Sequence, residues 1–237
     1  MRITLLNPNS SRAMTAKIAD AAREVAGPDV EIVAVCAEDG PDAVESHTDE
    51  AHAAVAVVRM IERDLADGGS AAYVIACFGD PGLDAARELV DVPVVGIAEA
   101  AMHVASISGR HFGVVTTLSR TLGRAHDLVA RYGMSPACVS MTAAGVAVLD
   151  LEDTSAESFE TIAALCSAAV DLHGADSIVL GCAGMTDLCQ ALTDRVGVPV
   201  VDGVGAAVGL CAAMVRMSVG TSKRDEYALP PRHGVLV

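Results

Sequence analysis

The chain has 237 residues, 52% of them hydrophobic, 3% aromatic and none Trp, so a folded core of Ala, Val, Leu and Ile is expected and a disordered chain is excluded. Sixteen Lys and Arg against 31 Asp and Glu leave a net charge of −15, which disfavours nucleic acid and anionic membranes as partners. The start, MRITLLNPNSS, lacks signal-peptide features, and the longest apolar segment, Val204–Val215, is too short to cross a bilayer, so a cytoplasmic location is expected.

Strand-length apolar runs alternate with helical patterns. RITLLN predicts a strand, and Ser10–Ala26 a helix with Met14, Ile18, Ala22 and Val25 on one face. The strand EIVAVC (31–36) precedes a helix over Thr48–Leu65. AAYVIAC (71–77) leads to a helix over Asp84–Leu89, and VPVVGI (92–97) to one over Ala98–Ser106. HFGVVTT (111–117) restarts the cycle, followed by a helix over Arg120–Tyr132, a weak strand near Ala137–Met141 and a helix over Ser155–Leu172. SIVLGC (177–182), a helix near Met185–Arg195, VPVVD (198–202) and a helix near Gly205–Met217 complete the pattern. Such alternation, with strands apolar on both faces, predicts an α/β fold of parallel sheets flanked by helices.

The pattern repeats. Cys77 and Cys182 lie 105 positions apart, Pro93 and Pro199 of the two VPVV segments 106, and LLNPNS aligns with VVTTLS at an offset of 109. A period of this length suits a duplicated α/β lobe rather than a solenoid unit. Two pseudo-symmetric lobes are therefore expected, one over 1–97 and one over 98–204, with the C-terminal helix of segment 205–237 packing back on the first. Ligands bind beyond the carboxyl ends of parallel strands. That rule gathers Asn7–Ser11, Cys77–Gly82, Thr116–Ser119 and Cys182–Thr186 around a cleft between the lobes.

The seven cysteines form no CxxC and no Cys/His cluster at zinc spacing, so reduced thiols and no metal are expected. Two stand apart, since Cys77 and Cys182 end equivalent strands beside Gly79, Gly82, Gly181 and Gly184. Inverting a carbon acid needs a base on one face and an acid on the other. A thiol, with a free pKa of about 8.5, suits both roles once backbone N–H groups stabilise its thiolate. Asn9, Ser10, Thr116 and Thr117 add short polar side chains that fix a small polar molecule.

Other features carry plainer readings. DGVGAAVG (202–209) follows a strand, but too few residues remain for a dinucleotide fold. His47 and His52, five apart, do not share a helical face as metal ligands, although the Val44–His47 loop is placed to line the cleft. Asp80 and Asp187 are expected to cap the helices that follow them. The tail TSKRDEYALPPRHGVLV reads as an exposed extension or an oligomer contact.

NPNSS, CFGDPGLDAARE, PVVGIAEAA, VVTTLSRT and VLGCAGM together resemble the hydantoin racemase branch of the aspartate/glutamate racemase superfamily. The resemblance spans Leu5 to about Gly205. It implies a two-lobed α/β fold, racemisation without a cofactor by Cys77 and Cys182, and a homo-oligomer. It also implies that Asn9, Ser10, Phe78, Gly79, Thr116, Thr117, Ala183 and Gly184 contact the substrate ring. Amino-acid racemases of the superfamily place Asn-Thr or Thr after the cysteines, where this chain has Phe78-Gly79 and Ala183-Gly184. That departure favours a neutral cyclic ureide, a 5-substituted hydantoin or allantoin, over aspartate or glutamate. Maleate isomerase or decarboxylase chemistry and a non-catalytic two-lobed binding protein are the rival readings.

Overall fold

The computed structural model describes residues 1–231; the end of the tail, 232–237, with the part of the expected C-terminal packing that falls there, lies outside the described residues. The first half runs β1 (Arg2–Asn7), α1 (Arg12–Val25), β2 (Glu31–Cys36), α2 (His47–Ala66), β3 (Ala72–Ile75), α3 (Leu83–Leu89), β4 (Val94–Gly96) and α4 (Ile97–Ser108). The second runs β5 (Phe112–Thr116), α5 (Leu122–Arg131), β6 (Cys138–Ala143), α6 (Ala156–His173), β7 (Ser177–Gly181), α7 (Cys189–Val196), β8 (Val200–Val201) and α8 (Gly203–Arg216).

The internal repeat is visible in the topology. One four-stranded sheet has the order β2-β1-β3-β4 and the other β6-β5-β7-β8, with every pairing parallel. In each sheet the central pair, β1 with β3 or β5 with β7, marks the point where the strand order reverses, and ligands settle there in open α/β sheets.

Alternation along the first sheet divides its two faces. Ile3, Leu5, Ala72 and Val74 point into the core shared with α1, α8 and the second lobe, whereas Leu6, Tyr73 and Ile75 pack against Val57, Ile61 and Leu83 of α2 and α3. Both faces are buried, which accounts for strands that read as continuous apolar runs. Of the four positions expected on the buried face of α1, Met14, Ile18 and Ala22 are buried, but Val25, in the last turn, is half exposed.

Two helices join the halves reciprocally. α4, which follows the last strand of the first sheet, packs on β7 of the second; α8, which follows the last strand of the second, packs on β3 and β4 of the first. They meet each other closely. A Cβ on Gly203 would sit 2.6 Å from the Ile97 carbonyl oxygen, so the first glycine of the DGVGAAVG run serves helix packing. Asp202 caps α8 by accepting from the N–H groups of Val204 (3.0 Å) and Gly205 (2.6 Å).

The C-terminal segment differs from expectation. Helix α8 ends at Arg216, and Ser218, with φ +57°, turns the chain out of it. The tail then straps across the first lobe. Thr221 bonds to the carbonyls of Asp91 and Val92, Lys223 donates to the Arg87 and Glu88 carbonyls at the end of α3, and the Tyr227 hydroxyl donates to Asp84 at 3.0 Å. Through Tyr227 it is a docked strap, not an exposed extension. No helix among the described residues is long and apolar enough to cross a membrane.

Candidate active site

The carboxyl ends of β1, β3, β5 and β7 open onto one cavity of about 190 Å³. Asn9, Cys77, Phe78, Gly79, Thr116, Thr117, Cys182, Ala183 and Gly184 all line it, as do Val44–His47. Ser10 does not. Its hydroxyl turns to Asp42 (3.1 Å) and the Pro41 carbonyl.

The polar lining is largely pre-set. Asn9 Oδ1 accepts from Asn7 Nδ2 (2.7 Å) and the Ser11 N–H (3.0 Å), which leaves its Nδ2 as the donor on offer. The Thr116 hydroxyl donates to the Gly181 carbonyl at 3.0 Å and so clamps β5 to β7 at the cavity floor. A Cβ on Gly181 would lie 2.6 Å from the Thr116 Cβ, so only glycine permits that approach.

Each cysteine begins a tight turn. On the first lobe the Asp80 N–H bonds to the Cys77 carbonyl (3.0 Å), and Asp80 itself takes φ +45°. The Asp80 carboxylate does not cap α3, the helix that follows it. It reaches to α4 and accepts from the N–H groups of Ala98 (3.0 Å) and Glu99 (2.9 Å), with the Tyr132 hydroxyl 2.7 Å away. The reason is geometric, since Gly82, the N-cap of α3, offers no side chain and the turn aims Asp80 across the sheet. Burial raises its pKa to about 6 against these hydrogen bonds. Asp187 also caps nothing; it pairs with Lys17 at 2.9 Å. On the second lobe the Met185 N–H bonds to the Cys182 carbonyl (3.1 Å) and the Gly184 N–H points at the Cys182 sulfur (3.4 Å).

Burial shifts both thiols toward the protonated form in this cavity. Burial pushes Cys77 up to about 12 and Cys182 up to about 11. The N–H groups of Gly79 and Gly184 act in the expected downward direction, but desolvation outweighs them. The two sites are not equivalent. Cys77 is raised further by Cys182, Asp80 and Glu50, whereas Cys182 is lowered by Lys17 and raised by Glu45.

Charged groups that motif reading passed over complete the site. Glu50, Arg120 and Arg124 line the cavity, and Arg124 Nε lies 2.5 Å from Glu50 Oε1 in an ion pair shielded from solvent. Arg124 also donates to the Gly79 carbonyl (2.9 Å), and Lys17 to those of Leu151 (2.6 Å) and Gly184 (3.0 Å). In sequence each is one more charge on an amphipathic helix; only the long-range fold brings it to a cysteine loop. The repeat offset was the available signal, because Lys17 and Arg124 lie 107 positions apart, within the range of the other repeat offsets.

Residues 3–211 match the family described as Asp/Glu/Hydantoin racemase. The hydantoin racemase of Paenarthrobacter aurescens is 41% identical over 97% of this chain and 98% of that protein. Among solved structures, an allantoin racemase from Klebsiella pneumoniae superposes with a TM-score of 0.96 at 46% identity, covering 99% of this chain and 96% of that one. The allantoin racemase of Pseudomonas fluorescens follows at 0.95 and 38%, over the whole of both chains.

Proposed function

Because the chain belongs to the Asp/Glu/Hydantoin racemase family, we propose that it racemises a compact cyclic ureide, allantoin or a 5-substituted hydantoin, by proton transfer between two cysteines. The observation that carries the reading is that Cys77 and Cys182, from equivalent strands of two matched sheets, line one cavity. One thiolate removes the C5 proton: the C–H bond breaks, an S–H bond forms, and the electron pair passes into an enolate of the ring. The opposing thiol then delivers its proton to the other face of C5 and becomes the thiolate. Base and acid have exchanged places, and the same steps in reverse serve the other enantiomer. The chemistry balances without a cofactor.

The cavity supports a small ring. Its volume of about 190 Å³ lies below the roughly 300–1,000 Å³ common for drug-sized ligands. Asn9, Thr117, Phe78, Gly79, Ala183 and Gly184, which line the cavity, are assigned to contact that ring, with Thr116 holding the floor. Ser10 acts through the loop rather than on substrate. We assign residues 1–97 to one lobe, with the C-terminal helix from residue 205 onward packing back on it, and 98–204 to the other, and expect a cytoplasmic homo-oligomer.

Polarimetry on single enantiomers of allantoin, alkyl and aryl hydantoins, aspartate and glutamate, with product analysis on maleate, tests the reading. Racemisation of the ureides that is lost in both Cys77→Ser and Cys182→Ser is the expected result. Wild-type rates in either variant overturn the two-thiol mechanism, and turnover of maleate or the amino acids alone overturns the substrate class.

A further inference from the structure

The two cysteine loops are each held by a cation from the opposite lobe. Lys17, on α1 of the first lobe, donates to the carbonyl of Gly184 in the second (3.0 Å). Arg124, on α5 of the second lobe, donates to the carbonyl of Gly79 in the first (2.9 Å). In both cases the bonded glycine is the third residue of Cys-X-Gly, and its N–H favours the thiolate two residues before it. Each cation also has one carboxylate partner, Asp187 at 2.9 Å for Lys17 and Glu50 at 2.5 Å for Arg124. The two cations occupy equivalent helices in the repeat, α1 and α5.

We propose that Lys17 and Arg124 are a pseudo-symmetric pair of positioning residues, each gripping the other lobe's Cys-X-Gly loop, with Lys17 also bringing positive charge to the thiol of the loop it holds. The proposal rests on the two-thiol reading above. A grip on the glycine carbonyl fixes the following peptide and so limits how far the turn swings. It therefore sets where the glycine N–H meets sulfur. Screening by water is reduced for a partly buried cation; the Lys17 side chain is 14% exposed and that of Arg124 32%. The crossed arrangement has a second effect. Any separation of the lobes breaks both grips together, so thiol ionisation is coupled to lobe closure. In each half-reaction the negative charge moves between the thiols, and a grip on the Cys-X-Gly loop stands behind each.

The test uses the full-length protein with Lys17→Met, Lys17→Arg, Arg124→Met and Arg124→Lys. Alkylation of Cys77 and Cys182 by iodoacetamide is followed separately by peptide mass spectrometry across pH, alongside racemisation of single-enantiomer allantoin. Lys17→Met is expected to slow alkylation of Cys182 by about tenfold at fixed pH, the effect of one pKa unit, and to leave Cys77 at the wild-type rate. Arg124→Met is expected to do the reverse. Lys17→Arg and Arg124→Lys restore the wild-type pattern. If a Met variant does not fold, the Gln variant at that position, which keeps a donor but not the charge, is read in the same way. Unchanged alkylation, or equal changes at both cysteines, overturns the proposal. Cysteine-to-serine variants that still racemise fail the two-thiol reading instead, and that result is separate from the alkylation pattern.

Discussion

Gly96 and Asp80 compete for one space: a Cβ on Gly96, at the end of β4, would fall inside the Asp80 carboxylate. The contact ties the Cys77 turn to the N-terminus of α4, since the same carboxylate caps that helix. Gly96→Ala should push Asp80 off its cap and destabilise the fold by about 1–3 kcal/mol, the usual range for overpacking. Urea unfolding reads the loss, and racemisation should fall as well because the Cys77 turn moves.

Asp80 also predicts a pH dependence. Its pKa rises on folding from 3.8 to about 6, so the folded state binds the proton more tightly than the unfolded one. The stability it contributes is present below pH 3.8 and is lost as pH climbs through about 6. The stability of wild type relative to Asp80→Asn should therefore decline across that window in urea titrations at stepped pH. A flat difference would show that the carboxyl titrates normally.

The thiols give a prediction of reactivity. Cys182, raised to about 11, should ionise before Cys77, raised to about 12. Below those values the thiolate fraction grows about tenfold per pH unit. In the free enzyme, iodoacetamide should mark Cys182 first at every pH from 7 upward. The first thiolate opposes the second, so kcat/KM should rise with pH and then fall once both thiols are ionised.

Phe78 and Ala183 are the unmatched letters of the two Cys-X-Gly loops. Phe78 lines the cavity and also belongs to the main core, so Phe78→Ala should cost about 3–5 kcal/mol as a core truncation. In the folded fraction the enlarged pocket should raise kcat/KM for 5-benzylhydantoin relative to allantoin. A stability loss with no change in that ratio would assign Phe78 to packing alone.

Lys223 places its ammonium on the last carbonyls of α3, where the helix dipole is negative. Lys223→Met should cost about 1 kcal/mol and accelerate amide exchange in α3 more than in α6. Tyr227→Phe should have a smaller effect of the same sign, since it removes one partner of Asp84.

Much of this architecture is legible in the sequence because parallel strands buried on both faces write themselves as apolar runs. The offset between Cys77 and Cys182 foretells two sheets of matching strand order. Short-range rules failed where a side chain serves a distant element. Asp80 reads as the cap of α3, but its turn aims it at α4. Asp187 reads as a cap and meets Lys17 instead. Ser10 lies in the correct loop and faces Asp42. The expected helix near Met185 begins as a 3-10 turn over Ala183–Leu188, which periodicity of 3.6 does not register. Lys17 and Arg124 escaped notice because nothing local separates a gripping cation from a solvated one.

The reciprocal placement of α4 and α8 bears on how such a chain is made and lost. The first half lacks α8, which joins α1 in covering its sheet, so a fragment ending at Gly96 would expose the apolar face on which α8 normally lies, and the rest of the chain would carry α8 without that sheet. The halves are therefore obligate partners: unfolding should proceed in one cooperative step, and fragments divided there should regain activity only when produced together.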